Sequence, residues 1–339
     1  MQFDRTAGLF PHQLDVINDR VLLVPMGEQE FRDASFLDQR LLTQNRQMQW
    51  ADWAQLEAAS AGWPANAHFI FHIGHVGSTL IARLLGELDG LFALREPQLL
   101  RNFAELAGLR DRPESPWPPD RLDPRMETAL GWLSRTFRPG DRALIKATSF
   151  ASEIAGPCLG GKRKALFLTL SPQRYIETIL AGENSRQELA MLSGPRLVRL
   201  HRRIAAEPWA LWDMPEATHA AMGWACEMSA LETAAEANTV KWLDFDAFLA
   251  APGEHLADIA TFFGVDADRA AIDALVSGPL MQRYSKAPEH GYSKELREQV
   301  LEQARRERSG DIAEALRWLD EAAANHPVIA SALARVAKD

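Results

Sequence analysis

The sequence predicts an α/β fold of three layers, with a central, mainly parallel sheet flanked by helices and a helical C-terminal part. Short apolar runs alternate with longer segments of helical periodicity, which is typical of buried parallel strands joined by helices. The C-terminal part is helical throughout in its pattern, over residues 252–263, 267–276 and 293–324. We divide the chain into an N-terminal extension, residues 1–64, packed on a main domain, residues 65–330.

Each predicted strand of the main sheet is a short apolar run, and each predicted helix has apolar residues at helical spacing. The strands are predicted at residues 68–73, 91–94, 142–149, 165–170 and 239–243. The helices between them are predicted at 78–89, 97–109, 123–137, 172–180, 186–206 and 216–237. Two further segments are predicted without regular structure: an exposed proline-rich loop at 110–122 and a solvated basic turn at 160–164.

The N-terminal extension has two segments with a clear pattern. Residues 20–25 are predicted as a strand that ends at a proline. Residues 49–56 are predicted as a helix with Trp50, Trp53 and Leu56 on one face. These large apolar side chains indicate packing against the main domain.

The composition excludes several classes of protein. Of 339 residues, 47% are hydrophobic, as in a folded globular protein, and the formal net charge of −9 argues against broad nucleic-acid binding. Cys158 and Cys226 lack metal-ligand spacing and are predicted to be reduced packing residues. No signal peptide is evident, and no apolar run reaches the roughly 20 residues of a membrane span. We expect a cytoplasmic protein without a metal site.

The segment 69–85 contains the first candidate site. An apolar strand leads through Gly74 and Gly77 to Ser78 and Thr79, which begin a helix with an apolar stripe. A strand, a glycine turn and a helix N-terminus together bind phosphate through backbone N–H groups and the helix dipole. The alternative is a plain strand-to-helix turn with a hydroxyl cap.

This segment departs from the Walker A pattern G-x-x-x-x-G-K-[ST]. In residues 72–79, His72 replaces the first glycine and Ser78 replaces the lysine. That lysine reaches the β- and γ-phosphates of a nucleoside triphosphate. ATP or GTP hydrolysis is therefore poorly supported.

Charged residues follow two other predicted strands. Arg95 and Glu96 come at the end of one strand, and Lys146 lies near the end of the next. Ligands of open α/β sheets bind outside the carboxyl ends of the strands. The alternatives are a Glu96 carboxylate that complements a helix dipole and a Lys146 side chain that reaches out to water.

The loop resembles the phosphosulfate-binding loop of the P-loop sulfotransferases, which reads approximately P-[KR]-S-G-T-T-L. Residues 77–80, Gly-Ser-Thr-Leu, match its G-T-T-L, while Val76 stands at the serine and His75 at the lysine or arginine. The longer segment is similar to a bacterial branch of sulfotransferase-like proteins. The resemblance implies a P-loop three-layer fold.

Other segments fit the same branch in the same order. Residues 94–101 resemble its second-strand motif, Ile145-Lys146 its third-strand lysine, and residues 284–288 its late loop. The resemblance spans residues from about 67 to 325. It implies sulfuryl transfer from 3′-phosphoadenylyl sulfate to an acceptor hydroxyl or amine, without a metal.

The resemblance also implies roles for individual residues. Glu96 matches a glutamate that serves as general base, with His72 or His75 as the competing base, and Lys146 would assist. A protonated His75 would supply the positive charge that lysine or arginine supplies elsewhere. The donor would be held by the loop residues Gly74, His75, Val76, Gly77, Ser78 and Thr79.

Two positions decide how the 3′-phosphate of the donor would be bound. The superfamily uses an arginine and a serine there, and this sequence has Leu170 and Thr178. The hydroxyl is kept and the charge is lost, so another cation is required. The candidates are Arg174, Arg186, Arg283 and Lys286.

Two other functions stay open at this point: an ATP-dependent kinase-like transferase that uses Lys146, and a non-catalytic nucleotide-binding protein. The resemblance implies a small-molecule, glycan or lipid acceptor. Residues 101–122 and 183–215 are expected to form its pocket. Nothing in these segments distinguishes a sugar, a phenol, a lipid or a peptide.

Overall fold

The computed structural model describes residues 3–43, 46–282 and 294–336. Its strands are β1 (Leu9–Asp15), β2 (Arg20–Pro25), β3 (Gln49–Asp52), β4 (His68–His72), β5 (Leu91–Arg95), β6 (Arg142–Lys146), β7 (Lys164–Thr169) and β8 (Thr239–Asp244). Five of them form a parallel sheet in the order β5-β6-β4-β7-β8. The predicted fold class is confirmed.

Helices connect these strands and form the C-terminal part. They are α1 (Glu28–Asp33), α2 (Trp53–Ala59), α3 (Ser78–Gly86), α4 (Gln98–Gly108), α5 (Pro119–Leu133), α6 (Ala155–Leu159), α7 (Pro172–Ala181), α8 (Glu183–Ile204), α9 (Glu216–Ala235), α10 (Phe245–Ala250), α11 (Pro252–Phe263), α12 (Arg269–Ser277), α13 (Lys294–Glu307), α14 (Ser309–Asn325) and α15 (Pro327–Val336). Every residue of β4 and β5 is buried, because both faces of the sheet are covered. Among the described residues, no helix is long and apolar enough to cross a membrane.

The N-terminal extension forms its own antiparallel sheet in the order β1-β2-β3. The strand β2 is confirmed, but β1 is absent from the prediction. Its register shifts between Pro11 and Gln13, and this irregularity interrupts the alternation by which a strand is identified in a sequence.

The predicted helix at 49–56 is wrong over its first half. Residues 49–52 form β3, where Trp50 pairs with Leu22 of β2 and stays 43% exposed, with the Arg20 guanidinium 5.4 Å from its ring centre. Only Trp53 and Leu56 lie on the buried face of α2. This segment is a strand because it pairs with β2, which is distant in the sequence and therefore invisible to the local pattern.

Two other helix boundaries differ from the prediction. The helix α5 begins at Pro119, inside the predicted loop, because Pro119 and not Pro124 takes the first helical position, where a missing N–H costs nothing. The terminal stretch, predicted as one helix at 293–324, is two helices, α13 and α14, separated at Arg308, and α15 follows α14. The guanidinium of Arg308 binds Asp311 and Glu216.

The basic turn at 160–164 is only partly solvated. Arg163 is buried, and its guanidinium donates to the carbonyl oxygens of Ala65 and Cys158, 2.6 Å away in both cases, and to the carboxylate of Glu127. Arg163 therefore holds the entry to β4 against α6. Cys158 and Cys226 are free and buried, and burial raises the pKa of both thiols.

Arg95 ties the N-terminal extension to the end of β5. Its buried guanidinium donates to the carbonyl oxygens of Phe31, Arg32 and Ala34 at the C-terminus of α1. The backbone N–H of Leu37 donates to the Arg95 carbonyl over 2.7 Å. Desolvation lowers the pKa of Arg95 to about 10. Arg95 therefore has a structural role at a position where a functional one was considered.

Replacement of Arg95 by Met should reduce the free energy of unfolding by about 2–4 kcal/mol, because three carbonyl oxygens lose a charged donor. Urea denaturation followed by tryptophan fluorescence measures this loss. The matched control is Arg101→Met on α4, whose exposed ion pair with Glu105 contributes at most about 0.5 kcal/mol. Equal stability of the two variants would contradict the structural role of Arg95.

Candidate functional site

The loop that follows β4 lies where the order of the sheet reverses. The chain leaves β4 for β5 on one side, returns to β6 beside β4, and then adds β7 on the other side. In open α/β sheets the crevice outside such a strand end is where ligands bind. The fold therefore places residues 74–77 at its most favourable position for a ligand.

The loop backbone is shaped for an anion. Gly74, His75 and Gly77 have φ values of +95°, +55° and +65°. Left-handed residues in close succession turn their N–H groups into one concavity. Within the described part of the chain, the backbone N–H groups of residues 75–80 donate to no protein acceptor. This is the arrangement that binds phosphate at a helix N-terminus.

Side chains from three other strand ends pack directly on the loop. A Cβ on Gly77 would lie 1.9 Å from Cε2 of Phe245, which follows β8. A Cβ on Gly74 would lie 3.3 Å from Cβ of Ser149, beyond β6, and 3.9 Å from the hydroxyl oxygen of Tyr175 on α7. Both glycines are therefore required by close approach as well as by φ.

Hydroxyl groups surround the concavity. Ser78 and Thr79 are 4% and 3% exposed, and within the described ranges Thr79 Oγ1 and the Tyr175 hydroxyl have no hydrogen-bond partner. Burial raises the pKa of Tyr175 to about 12, so this phenol is a donor at neutral pH. Val76 is buried in the core and contributes only its backbone.

His75 is held by two residues of α8. Its Nδ1 lies 3.1 Å from Oγ of Ser185, and its Nε2 lies 3.2 Å from Oε2 of Glu188. The other oxygen of Glu188 accepts from the Ser149 hydroxyl over 3.4 Å. Ser185 and Glu188 are absent from our sequence prediction. Their spacing of three residues on a helix was the available signal, but the predicted helix began only at residue 186.

His72 has both ring nitrogens engaged by the backbone. Its Nε2 lies 2.8 Å from the carbonyl oxygen of Ala147, and its Nδ1 accepts from the N–H of Gly74 over 3.1 Å. The first contact joins β4 to the residue after β6. We therefore assign His72 to the support of the loop.

Glu96 and Lys146 form an ion pair at the neighbouring strand ends. Lys146 is fully buried, and its ammonium group binds the Glu96 carboxylate, whose side chain is 19% exposed. Lys146 therefore does not reach out to water, and the Glu96 carboxylate contacts this ammonium group rather than the start of α4. Glu96 also has a φ of +52°, with its N–H bonded to the Lys146 carbonyl over 2.7 Å.

The positions considered for the 3′-phosphate are engaged in other contacts. Leu170 is buried, and the Thr178 hydroxyl donates to the Arg174 carbonyl within its own helix over 2.7 Å. Arg174 pairs with Asp246 over 2.8 Å and with Glu298.

The other candidate cations give no free charge near the loop within the described residues. Arg186 pairs with Glu216 over 2.6 Å. Arg283 and Lys286, with the rest of the late loop at residues 284–288, lie outside the described residues. In the described ranges, no group of three His, Cys, Asp or Glu side chains is placed to hold a metal ion.

Neither a family model nor a curated protein matches the sequence. Solved structures that the chain resembles include three sulfotransferases. One is the sulfotransferase domain from the curacin biosynthetic pathway, at 12% identity and a TM-score of 0.41 over 73% of this chain and 98% of that one.

A second is the sulfotransferase from Alicyclobacillus acidocaldarius, at 17% identity and a TM-score of 0.36, over 60% of this chain and 82% of that one. A third is the sulfotransferase domain of the Synechococcus PCC 7002 olefin synthase, at 16% identity and a TM-score of 0.37, over 71% of this chain and 94% of that one.

Replacement of Gly77 by Ala should destabilise the fold by about 3 kcal/mol or more, because the new Cβ overlaps the Phe245 ring. Gly140→Ala is the matched control, since Gly140 also has a positive φ, of +97°, but no atom within 4 Å of its Cβ position. Its cost should be only the backbone term of about 1–2 kcal/mol. Urea denaturation measures both. Equal losses would show that Phe245 does not restrict the loop.

Proposed function

We propose that this protein is a sulfotransferase, which transfers a sulfuryl group from 3′-phosphoadenylyl sulfate to an acceptor hydroxyl or amine. The observation that carries the proposal is the concavity of backbone N–H groups at residues 75–80, at the reversal point of a parallel sheet. Its sequence, Gly-Ser-Thr-Leu at residues 77–80, resembles the phosphosulfate-binding loop of sulfotransferases.

The loop would bind the 5′-phosphosulfate of the donor. Backbone N–H groups of residues 75–79 provide most of the donors, and the hydroxyls of Ser78 and Thr79 add to them. The unpartnered Thr79 Oγ1 supports this role, because a buried hydroxyl without a partner is costly unless a ligand satisfies it. When protonated, His75 would donate from Nε2 to the sulfonate in place of Glu188, while Ser185 fixes its ring through Nδ1.

The chemical step would be an in-line displacement at sulfur. The acceptor oxygen or nitrogen forms a bond to sulfur while the bond from sulfur to the bridging phosphate oxygen breaks, and 3′,5′-ADP leaves. The acceptor proton passes to the Glu96 carboxylate. The Lys146 ammonium, held against Glu96, holds that carboxylate in place and stabilises the charge that develops. Positioning contributes much of the rate in such transfers.

A kinase-like function has less support. Ser78 stands where a lysine would reach the β- and γ-phosphates of ATP, and the Lys146 ammonium that could replace it binds Glu96. A non-catalytic nucleotide-binding protein would use the same loop. It would not need the paired charges at the ends of β5 and β6, which is why we favour an enzyme.

The donor's 3′-phosphate needs a cation that Leu170 does not provide. Arg174 already contacts the carboxylates of Asp246, Glu298 and Glu177, so a phosphate would have to displace one of them. Lys286 is the candidate that the family resemblance favours, and Thr178 supplies a hydroxyl on α7. We propose that Lys286 and Thr178 bind the 3′-phosphate.

The donor is tested by thermal stabilisation with two nucleotides. At 100 times its Kd a ligand should stabilise the protein by about 2.7 kcal/mol, enough to raise Tm by several degrees. We expect a clear rise with 3′,5′-ADP and none with ATP and Mg²⁺. A rise with ATP and Mg²⁺ alone would overturn the proposal in favour of a kinase. Binding of 3′,5′-ADP without transfer to any acceptor would favour the non-catalytic function.

Replacement of Glu96 by Gln should lower kcat by about 100- to 10,000-fold, because the acceptor loses its general base. The affinity for 3′,5′-ADP should stay within about threefold, since the loop is not altered. Release of 3′,5′-ADP from the donor, with the best acceptor from a panel of phenols, amino sugars and alcohols, measures the rate. Glu105→Gln, at the surface of α4, is the control. Undiminished turnover in Glu96→Gln would remove Glu96 from this role.

A further inference from the structure

A buried group of three charged side chains lies on α8 and α9 and is absent from our sequence prediction. Arg196, Arg199 and Glu227 are each at most 3% exposed. The Nε of Arg196 lies 2.8 Å from Oε1 of Glu227, and a terminal nitrogen of Arg199 lies 2.5 Å from the same oxygen. The other oxygen of Glu227 accepts from the Ser152 hydroxyl. We call these three residues the arginine–glutamate cluster.

The charges of this cluster do not balance. Two guanidinium groups face one carboxylate, and Coulomb interaction with both arginines lowers the pKa of Glu227, so its carboxylate is ionised. Farther along α8, Arg202 donates to the carbonyl oxygen of Gly108 and Arg203 pairs with Glu153. The cluster therefore carries one excess positive charge inside the protein, where an uncompensated charge is costly.

The excess charge contacts the loop through the Ser149 hydroxyl. A terminal nitrogen of Arg196 lies 3.4 Å from Oγ of Ser149, and that oxygen lies 3.5 Å from the Cβ position of Gly74. The Tyr175 hydroxyl, fully buried and without a partner in the described chain, is 3.9 Å from the same Cβ position. Arg196 therefore lies next to Ser149, which packs against Gly74 of the loop.

Glu188 lies at the other side of Ser149. It accepts from the Ser149 hydroxyl over 3.4 Å and contacts Nε2 of His75 over 3.2 Å. Its side chain is 33% exposed, so it can turn out to water, which the buried Glu227 cannot do. The Glu188 carboxylate contacts both His75 and Ser149. It therefore lies where an anionic group of a ligand would contact the loop.

We propose that the arginine–glutamate cluster supplies the positive charge that the loop lacks at Ser78, and that Glu188 is the counter-ion which a bound phosphate or sulfonate replaces. Arg196 is then a positioning residue for the anion, acting through Ser149. The inference rests on the proposed function for the identity of the ligand. The part of the inference that concerns charge applies to any anion that binds in the loop.

The test measures the affinity for three ligands by isothermal titration calorimetry. Inorganic pyrophosphate probes the loop alone, 3′,5′-ADP probes the loop and the nucleotide site, and 3′-AMP lacks the phosphate that the loop would bind. Arg196→Met should weaken pyrophosphate and 3′,5′-ADP roughly tenfold or more, because the cluster loses its excess charge. Its affinity for 3′-AMP should not change. Arg196→Lys should restore most of the loss.

Glu188→Gln should have the opposite effect and tighten pyrophosphate and 3′,5′-ADP several-fold, because a competing carboxylate is removed. This variant keeps the test decisive if Arg196→Met does not fold. The matched control is Arg203→Met, which removes the same charge about 10 Å farther along α8 from the loop and should leave all three affinities unchanged.

The outcomes separate the inference from the proposed function. If the wild type binds pyrophosphate but does not bind 3′,5′-ADP, the proposed donor is refuted. The role of the arginine–glutamate cluster can then still be tested with pyrophosphate. Equal pyrophosphate affinities for the wild type, Arg196→Met and Glu188→Gln would overturn the inference even if 3′,5′-ADP binds. Equal weakening of 3′-AMP and pyrophosphate in Arg196→Met would also overturn it, since that result would indicate a general structural defect.

Discussion

The packing of the Phe245 ring against the backbone of Gly77 is the contact on which the candidate site depends. The ring occupies the space that any side chain at residue 77 would need. Phe245 begins α10 directly after β8, and the carboxylate of Asp244 caps that helix by accepting from the N–H groups of Asp246 and Ala247. The loop after β4 therefore packs against a residue that directly follows β8, the strand that pairs with β7 at the edge of the sheet.

Backbone strain is concentrated at the same edge of the sheet. His75 and Glu96 are non-glycine residues with positive φ, a conformation that costs of order 1 kcal/mol or more and persists only where the surroundings enforce it. Ser185 and Glu188 hold the His75 ring, and Lys146 holds Glu96 through both its carbonyl oxygen and its ammonium group. Such strain favours a functional edge, because structural turns elsewhere in this chain mostly use glycine at positive φ.

Buried charge lies close to this loop, as it also does at Arg95 and Arg163 elsewhere in the interior. Lys146 is buried against Glu96, and the arginine–glutamate cluster is buried behind Ser149. A buried ion pair seldom adds stability over apolar packing of the same volume, because desolvation offsets the attraction. Elsewhere, Arg95 and Arg163 bind mainly backbone carbonyl oxygens, whereas the arginine–glutamate cluster holds two guanidinium groups against one carboxylate. This imbalance is the reason we propose that the loop binds an anion.

Much of the fold follows from local pattern. The apolar runs of β4 to β8 and the glycine turn at residues 74–77 can be identified in the sequence, because a strand buried on both faces and a left-handed turn each demand particular residue types. The resemblance of residues 77–80 to a phosphosulfate loop is equally local. Segments that pair with a distant partner were mistaken or missed: β1 has a register shift, and β3 needs β2.

Only the tertiary structure decided which charged side chains meet at the loop. Along the chain, Glu188 and Arg196 belong to the polar pattern of α8. Glu227 is the one charged residue in the run 220–231, which marks it as unusual but does not show which side chains it meets. Burial in the structure separates them, because α8 and α9 pack on each other and enclose Glu227 between two arginines. The residues that can form a phosphate loop were determined by the sequence itself. The charge behind that loop was decided by contacts between helices, which depend on three-dimensional packing rather than on spacing.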